Sequence, residues 1–529
     1  MKTIIINSII LFSITVLIVT TSCSQTEKKQ NEEYISMKYK GLVKAPEFPE
    51  GLQWLNTVQP ITLKELKGKF VLLDFWTYCC INCIHIMPDL KKLEEEFPDE
   101  LVIIGVHSAK FKNEKEKDNI RKAILRYEIK HPVVNDLNFE IWNDYAVSAW
   151  PTLVLINPLG QIIMQSSGEG VYAKFDTVIK EATKEFDAAG LLDKNPIKFK
   201  LESEHNTNSI LHFPAKVFVS KTNKIYITDS NNNKILIVDA NGKILSTIGD
   251  GKIGRKDGSY EESEFNHPQG IAVDEAEENI YIADTDNHLI RRINLKEKKV
   301  ETIAGKGHLA IQYYSNGGFG TNSELNSPWD LVVVGNTLYI AMAGPHQIWK
   351  MDLETKKIEP FAGTGYENIV DGNLKMASFA QPSGISYCND KLYIADSEVS
   401  AIREINLLTG QVSTLVGVGL FDFGDVDGYY PKSRLQHCIG INCYNNLIYI
   451  ADTYNNKIKV LNPETKEVRT LIGTGKPGIK DGNADEAQFD EPNGLFVHNN
   501  LMYITDTNNN LIRIYYFNTK DVKTFKITQ

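Results

Sequence analysis

Cys79, Cys80 and Cys83, three cysteines within five residues, are the part of this chain whose types and spacing could do chemistry. They lie in the stretch Phe75-Trp-Thr-Tyr-Cys-Cys-Ile-Asn-Cys-Ile-His-Ile-Met-Pro88. The apolar run from Phe70 to Trp76 that leads into it reads as a buried strand of a parallel sheet. Beyond it, Ile84, Met87, Leu90, Leu93 and Phe97 recur every three to four residues and mark one apolar helix face. Cys80 therefore sits at a strand-to-helix junction, close to the helix N-terminus. Unpaired N–H groups and the positive end of the helix dipole favour a thiolate there, which makes Cys80 a nucleophile. Cys83, one turn further in, is placed to resolve a mixed disulfide. The competing reading of such a pair is half a zinc site, but no second pair and no histidine cluster is spaced to complete it.

The motif resembles the Phe-Trp-x-x-Trp-Cys-x-x-Cys of thioredoxin and TlpA-like families. That resemblance implies further roles. Pro88, five positions after Cys83, matches the proline that kinks their active-site helix. Asp74, six before Cys80, matches the buried carboxylate that shuttles the proton of the second cysteine. A carboxylate inside an apolar strand is costly to ionise, so a raised pKa is expected; the plain alternative is a strand-end turn residue. Trp150-Pro151 matches the segment whose cis-proline faces the cysteines, with Trp76 and Trp150 as auxiliary aromatics. Cys79 stands where the family has tryptophan, and Ile81-Asn82 replaces its usual Gly-Pro or Pro-Pro, so the family's redox potential does not carry over. A fold kept only as a scaffold is the alternative to catalysis.

The chain has 529 residues, a formal charge of −10 and a pI near 5.7, which fits a multidomain globular protein and argues against a nucleic-acid partner. Residues 1–22 read as a signal peptide: Lys2, an apolar run from Ile4 to Val19, then Thr20-Thr-Ser-Cys23. The segment resembles a bacterial lipoprotein signal, which implies lipidation of Cys23, membrane tethering and a place in the bacterial cell envelope. Residues 23–38 form a polar tether.

Residues 39–190 alternate strand and helix, as an α/β domain does. His107 ends a central strand and reads as a solvated histidine. From 191 to 529 the texture changes to short strands with Gly, Asn and Asp turns. The unit Leu/Ile-Tyr-Ile-Ala/Thr-Asp recurs with fifth positions at Asp229, Asp284, Met342, Asp396, Asp452 and Asp506, spaced 55, 58, 54, 56 and 54 apart. Six such units of four strands predict an all-β six-bladed propeller. The wording Asp284-Thr-Asp-Asn-His-Leu-Ile290 resembles the NHL repeat. The repeated aspartates read as turn-forming rather than catalytic. Ile197–Leu201 alternates as a strand and is the candidate to complete the last blade.

Blade three departs from the frame. It loses the aspartate, begins Ser327-Pro-Trp329-Asp330, and is preceded by a loop four residues longer than those before blades two, four and six, carrying Tyr313 and Tyr314. The loop before blade five is also long and begins at Phe421. Lengthened aromatic loops on a repeat scaffold make Trp329, Asp330, Tyr313, Tyr314 and Phe421 candidate protein-binding residues. Cys438 and Cys443 fall on one predicted strand an odd number of residues apart, so they face opposite sides and do not bridge each other. Cys79 is then a spare thiol beside the active pair.

Taken whole, the chain resembles a family of animal NHL-repeat proteins and their bacterial relatives that joins a thioredoxin-like domain to a six-bladed NHL propeller. Its most specific pieces are Tyr78-Cys-Cys-Ile-Asn-Cys83, Trp329-Asp330 and Ala341-Met-Ala-Gly344. The expected function is an exported, membrane-tethered thiol-disulfide oxidoreductase. It acts on protein thiols and disulfides through Cys80 and Cys83, and a protein partner sits on the propeller. No cofactor beyond that redox-active disulfide, and no metal, is implied. A non-enzymatic propeller scaffold is the alternative.

Overall fold

The structure is a computed structural model that describes residues 37–202, 209–310 and 316–529; the signal and Cys23 lie outside them, as do Tyr313 and Tyr314. Everything below belongs to the compact unit Tyr39–Gln529.

Its first part is an α/β layer built of β1 (Val43–Lys44), β2 (Gln53–Leu55), β3 (Phe70–Trp76), α1 (Ile81–Glu96), β4 (Leu101–His107), α2 (Lys117–Arg126), β5 (Val133–Asn135), α3 (Glu140–Asp144), β6 (Thr152–Ile156), β7 (Gln161–Ser167) and α4 (Tyr172–Ala188). The sheet order is β1-β7-β6-β3-β4-β5-β2. β3 runs parallel to β4 and antiparallel to β6, so the sheet is mixed rather than parallel. All seven residues of β3 are buried, which accounts for its unbroken apolar sequence. Asp74 is the exception within that run.

The second part is a propeller whose six sheets, among the described residues, stand around a central channel. Blades two to six each carry a fifth, two-residue strand at the outer edge, which in all but blade three starts at the glycine of Asp-Gly. In blade one the C-terminus takes this outer position: Thr528 bridges Lys243, the Ile244 N–H donates to the Thr528 carbonyl at 2.9 Å, and the Thr528 N–H donates to the Gly242 carbonyl at 2.8 Å. The ring is closed there and not by residues 197–201, which form no strand. Phe199 packs instead against the core of the α/β domain.

The repeated aspartates hold the blades together from within. Asp284 accepts from the Asn266 backbone N–H at 2.8 Å and pairs at 2.7 Å with Arg291, whose guanidinium reaches on to Asp257 of the outer Asp-Gly at 2.8 Å. Asp396–Arg403–Asp371 and Asp506–Arg513–Asp481 repeat this, with Lys459 in the arginine's place in blade five. Blade three substitutes the buried pair Met342 and Trp349. Burial holds Asp396 up near 7, with Arg403 pulling it down. Arg403→Met is therefore expected to cost about 3–5 kcal/mol at pH 8, where Asp396 must take up a proton or stay charged without its cation, and less at pH 5. Urea unfolding at the two pH values measures it, and a cost below about 1 kcal/mol at pH 8 would contradict this account.

Cys443 does not pair with Cys438: it forms a disulfide with Cys388, joining the inner strands of blades four and five. Cys438 precedes its strand, which begins at Gly440, and is a buried free thiol.

Candidate active site at the domain interface

Cys80 is the residue before α1, with extended backbone, and its carbonyl accepts from the N–H groups of Cys83 and Ile84 at 3.1 and 3.2 Å. The three cysteines of the motif are unbridged. Burial pushes the Cys83 thiol well up, and a hydrogen bond with Cys80 and the nearby Asp74 carboxylate push the same way. Asp74 is 3 % exposed and its Oδ1 has no protein partner. Burial raises its pKa to about 7, against the pull of His131. The Trp150–Pro151 bond is cis. Thr152 lies level with Phe75, so Pro151 sits beside the end of β3 from which the cysteine loop departs. Trp150 packs on Trp142, and Trp76 is buried edge-on to His107. His107 itself is not solvated as its strand-end position suggested. It is fully buried, stacks on Tyr78, and burial pushes its pKa down to about 3.

The loop carrying the cysteines faces the propeller. Gln381 holds it at two points, accepting from the Ile81 N–H at 2.9 Å and donating to the Cys79 carbonyl at 2.8 Å. Tyr78 donates to Glu491 at 3.1 Å, and His85 meets Ser327 at 2.6 Å. The Cys79 sulfur lies 3.8 Å from Glu398, which also pairs with Lys110 at 2.6 Å, while the Cys79 N–H donates to Glu114 at 2.9 Å. Burial pushes the Cys79 thiol well above its ordinary range, and Glu114 and Glu398 add to that. Burial works against ionised Glu398, but Lys110 and His437 together hold it below the usual carboxylate value.

These propeller groups occupy two repeat positions. Phe213, His267, Ser327, Gln381, His437 and Glu491 hold one repeat position just ahead of an inner strand, with left-handed backbone at φ between 47° and 58°. Asn231, Asp286, Glu398, Tyr454 and Asn508 each stand two residues past the end of the second strand, the position Gly344 holds in blade three. The frame repeats while these side chains differ, and Asn231, Ser327, Gln381, Glu398, His437, Tyr454, Glu491 and Asn508 among them meet the α/β domain. The signal in the sequence was variation at the residue before the inner-strand start, which reads Pro-x-Gly in blades two, four and six, and at the second residue after the repeated aspartate.

Trp329 is 9 % exposed and packs with Ala343 against Ile81 and Ile84 of α1, so it faces the chain's own domain. Asp330 pairs with Lys216 at 3.2 Å inside the channel and accepts from the Ile385 N–H. Phe421 is 72 % exposed, 5.1 Å from the Lys110 ammonium.

Comparison with known proteins agrees with both halves. A family described as thioredoxin-like matches residues 68–162, and the NHL repeat matches residues 265–293. The thiol-disulfide oxidoreductase ResA of Halalkalibacterium halodurans is 33% identical over 126 residues, covering 23% of this chain and 69% of that one. Protein SUPPRESSOR OF QUENCHING 1, chloroplastic, of Arabidopsis thaliana is 44% identical over 487 residues, covering 88% of this chain, which spans 46% of that relative's length. These matches overturn the bacterial-envelope location expected from the first 23 residues, because the relatives that align across both domains are eukaryotic, one of them chloroplastic. Among the described residues no helix is long and apolar enough to cross a membrane. NHL repeat-containing protein 2 of Homo sapiens is 44% identical over 520 residues, covering 91% of this chain and 71% of that one, and on that breadth of likeness the chain belongs to the NHL repeat-containing protein 2 family.

Proposed function

We propose that this chain is a thiol-disulfide oxidoreductase acting on protein substrates through Cys80 and Cys83. The observation that carries the reading is a buried, proton-holding pair, Cys83 and Asp74, next to a half-exposed Cys80 at the head of α1. Cys80 attacks a substrate disulfide, and Cys83 gives its proton to Asp74 and displaces the substrate from Cys80. Pro151 and Trp150 shape the adjoining surface for an extended peptide. The propeller holds the loop in register and presents its remaining surface, including Phe421, to a protein partner. ResA, similar over this domain, carries the name of such an enzyme.

The trapping test separates the roles. Cys83→Ser is expected to accumulate mixed disulfides on Cys80, resolved on a non-reducing gel and located by peptide mass spectrometry, and Cys80→Ser to accumulate none. Equal trapping by both variants contradicts the assignment.

A second reading, a non-enzymatic scaffold, draws on the grip of Gln381, Glu398, Glu491 and Ser327 around the cysteine loop. On that reading cysteine variants leave partner capture intact.

A further inference from the structure

A cavity of about 260 Å³ lies between α1, the segment leading into β5, and blade two of the propeller, and Asp74 forms part of its wall. His131 lines it too. The His131 Nδ1 bonds Glu94 at 3.0 Å, so in the neutral ring Nδ1 carries the proton and Nε2 keeps a free lone pair. Three buried polar atoms nearby have no protein partner: Asp74 Oδ1, His131 Nε2 and Trp76 Nε1. Gly105 explains how they meet. It is level with Asp74 in the neighbouring strand, and a Cβ there would stand 2.9 Å from Trp76 Nε1 and 3.5 Å from His131 Nε2. The absent side chain lets the indole and the imidazole close over this strand, and the cavity that Asp74 and His131 both line has room for a bridging solvent molecule.

We propose that His131, held by Glu94, is the positioning residue through which the proton collected by Asp74 leaves the site. The proposal rests on the oxidoreductase reading. A substrate disulfide R–S–S–R′ is attacked by the Cys80 thiolate; Cys80–S–S–R forms and R′S⁻ leaves. Cys83 then yields its proton to Asp74 and attacks the Cys80 sulfur. The Cys80–Cys83 bond forms, RS⁻ leaves, and two electrons have passed from the dithiol to the substrate. The proton on Asp74 crosses the shared cavity to His131 Nε2, the imidazolium is paired with Glu94, and the proton is released to solvent. Asp74 is then a carboxylate again.

The other titratable groups of that wall are His85, Lys91 and Glu94 on α1, Tyr127, Glu128 and Lys130 before β5, and His267, Asp286 and His288 of the propeller. His85 is committed to Glu169 at 2.6 Å and His267 to Asp286 at 2.9 Å. Of these histidines, among the described residues, His131 is the one packed over Gly105, the strand neighbour of Asp74.

The test is stopped-flow reduction of 5,5′-dithiobis(2-nitrobenzoate) by the reduced full chain, following release of the first and second thionitrobenzoate from pH 5.5 to 9. His131→Asn is expected to leave the first release unchanged and slow the second at least ~10-fold near pH 6.5, with the difference closing toward pH 9, where hydroxide takes the Cys83 proton directly. Added imidazole restores the rate. Glu94→Gln, at the partly open rim where folding is not at stake, slows it in the same direction by less. The double variant Asp74→Asn/His131→Asn is no slower than Asp74→Asn alone. A wild-type pH profile in both His131→Asn and Glu94→Gln, or multiplicative losses in the double variant, overturns the relay. A wild-type chain that releases no second equivalent removes the dithiol reading, and the relay with it.

Discussion

In the Glu491→Ala chain, a maleimide is expected to modify Cys79 about 10²–10³ times faster than in the wild type. Glu491 is 1 % exposed and accepts from three groups of the α/β domain: Tyr78 at 3.1 Å, Asn113 at 2.9 Å and Arg126 at 3.1 Å. Truncating it leaves the Arg126 guanidinium in the interface without its carboxylate, a loss of about 3–5 kcal/mol when one partner of a buried pair is removed. At ~1.4 kcal/mol per factor of ten, that shifts the docking equilibrium by two to three decades. Cys79 reports it because its sulfur lies at the same interface, against Glu398. Glu491→Gln keeps an acceptor for Tyr78 and Asn113 and is expected to fall between. A rate unchanged in the alanine variant would mean that the propeller does not shield the cysteine loop.

Asp74→Asn is expected to stabilise the fold at pH 8 by about 4 kcal/mol and to lose that advantage as the pH falls. The sign follows from the direction in which burial moves the carboxyl. Its folded-state pKa is raised from 3.8 to about 7, so the folded chain holds the proton more tightly than the unfolded chain. Wild-type stability from this group is complete below pH 4 and is lost as the pH rises through 7. Asparagine is already neutral and has nothing to lose over that window. Each tenfold difference in proton affinity between the folded and unfolded chain is worth about 1.4 kcal/mol, which sets the size. Urea unfolding of both chains at pH 5 and pH 8 measures it, and a variant less stable than the wild type at pH 8 contradicts the assignment of Asp74 as a buried, ionisable carboxyl.

Local chemistry made most of the dithiol site legible. Cys80, Cys83, Asp74 and Pro151 each belong to a short segment whose pattern fixes strand, turn or helix, and the sheet brings those segments together. The six-fold repeat was legible for the same reason, since each blade is a local unit. What the sequence left hidden depends on which distant surfaces meet. Gln381, Glu398 and Glu491 are ordinary polar residues until the α/β domain is set on the propeller. Trp329 reads as an open binding residue because its partner, α1, is more than two hundred residues away in the chain. His107 looks solvated at a strand end until Tyr78 stacks on it. Ile197–Leu201 alternates as an edge strand does, but alternation does not say which surface receives it; Phe199 goes to the α/β core and the C-terminal Thr528 closes the ring. The i,i+7 Asp–Arg spacing of blades two, four and six was available in the sequence, but the aspartates were read as turn formers and the pairing was not drawn.

The most direct test is a redox titration of the purified chain against dithiothreitol buffers, with free thiols alkylated and located by peptide mass spectrometry. The account predicts that Cys80 and Cys83 lose reactivity together in one two-electron transition while Cys79 stays reduced and Cys388–Cys443 stays oxidised. A pair that remains reduced across the whole range, or Cys79 bridged to either member, would contradict it.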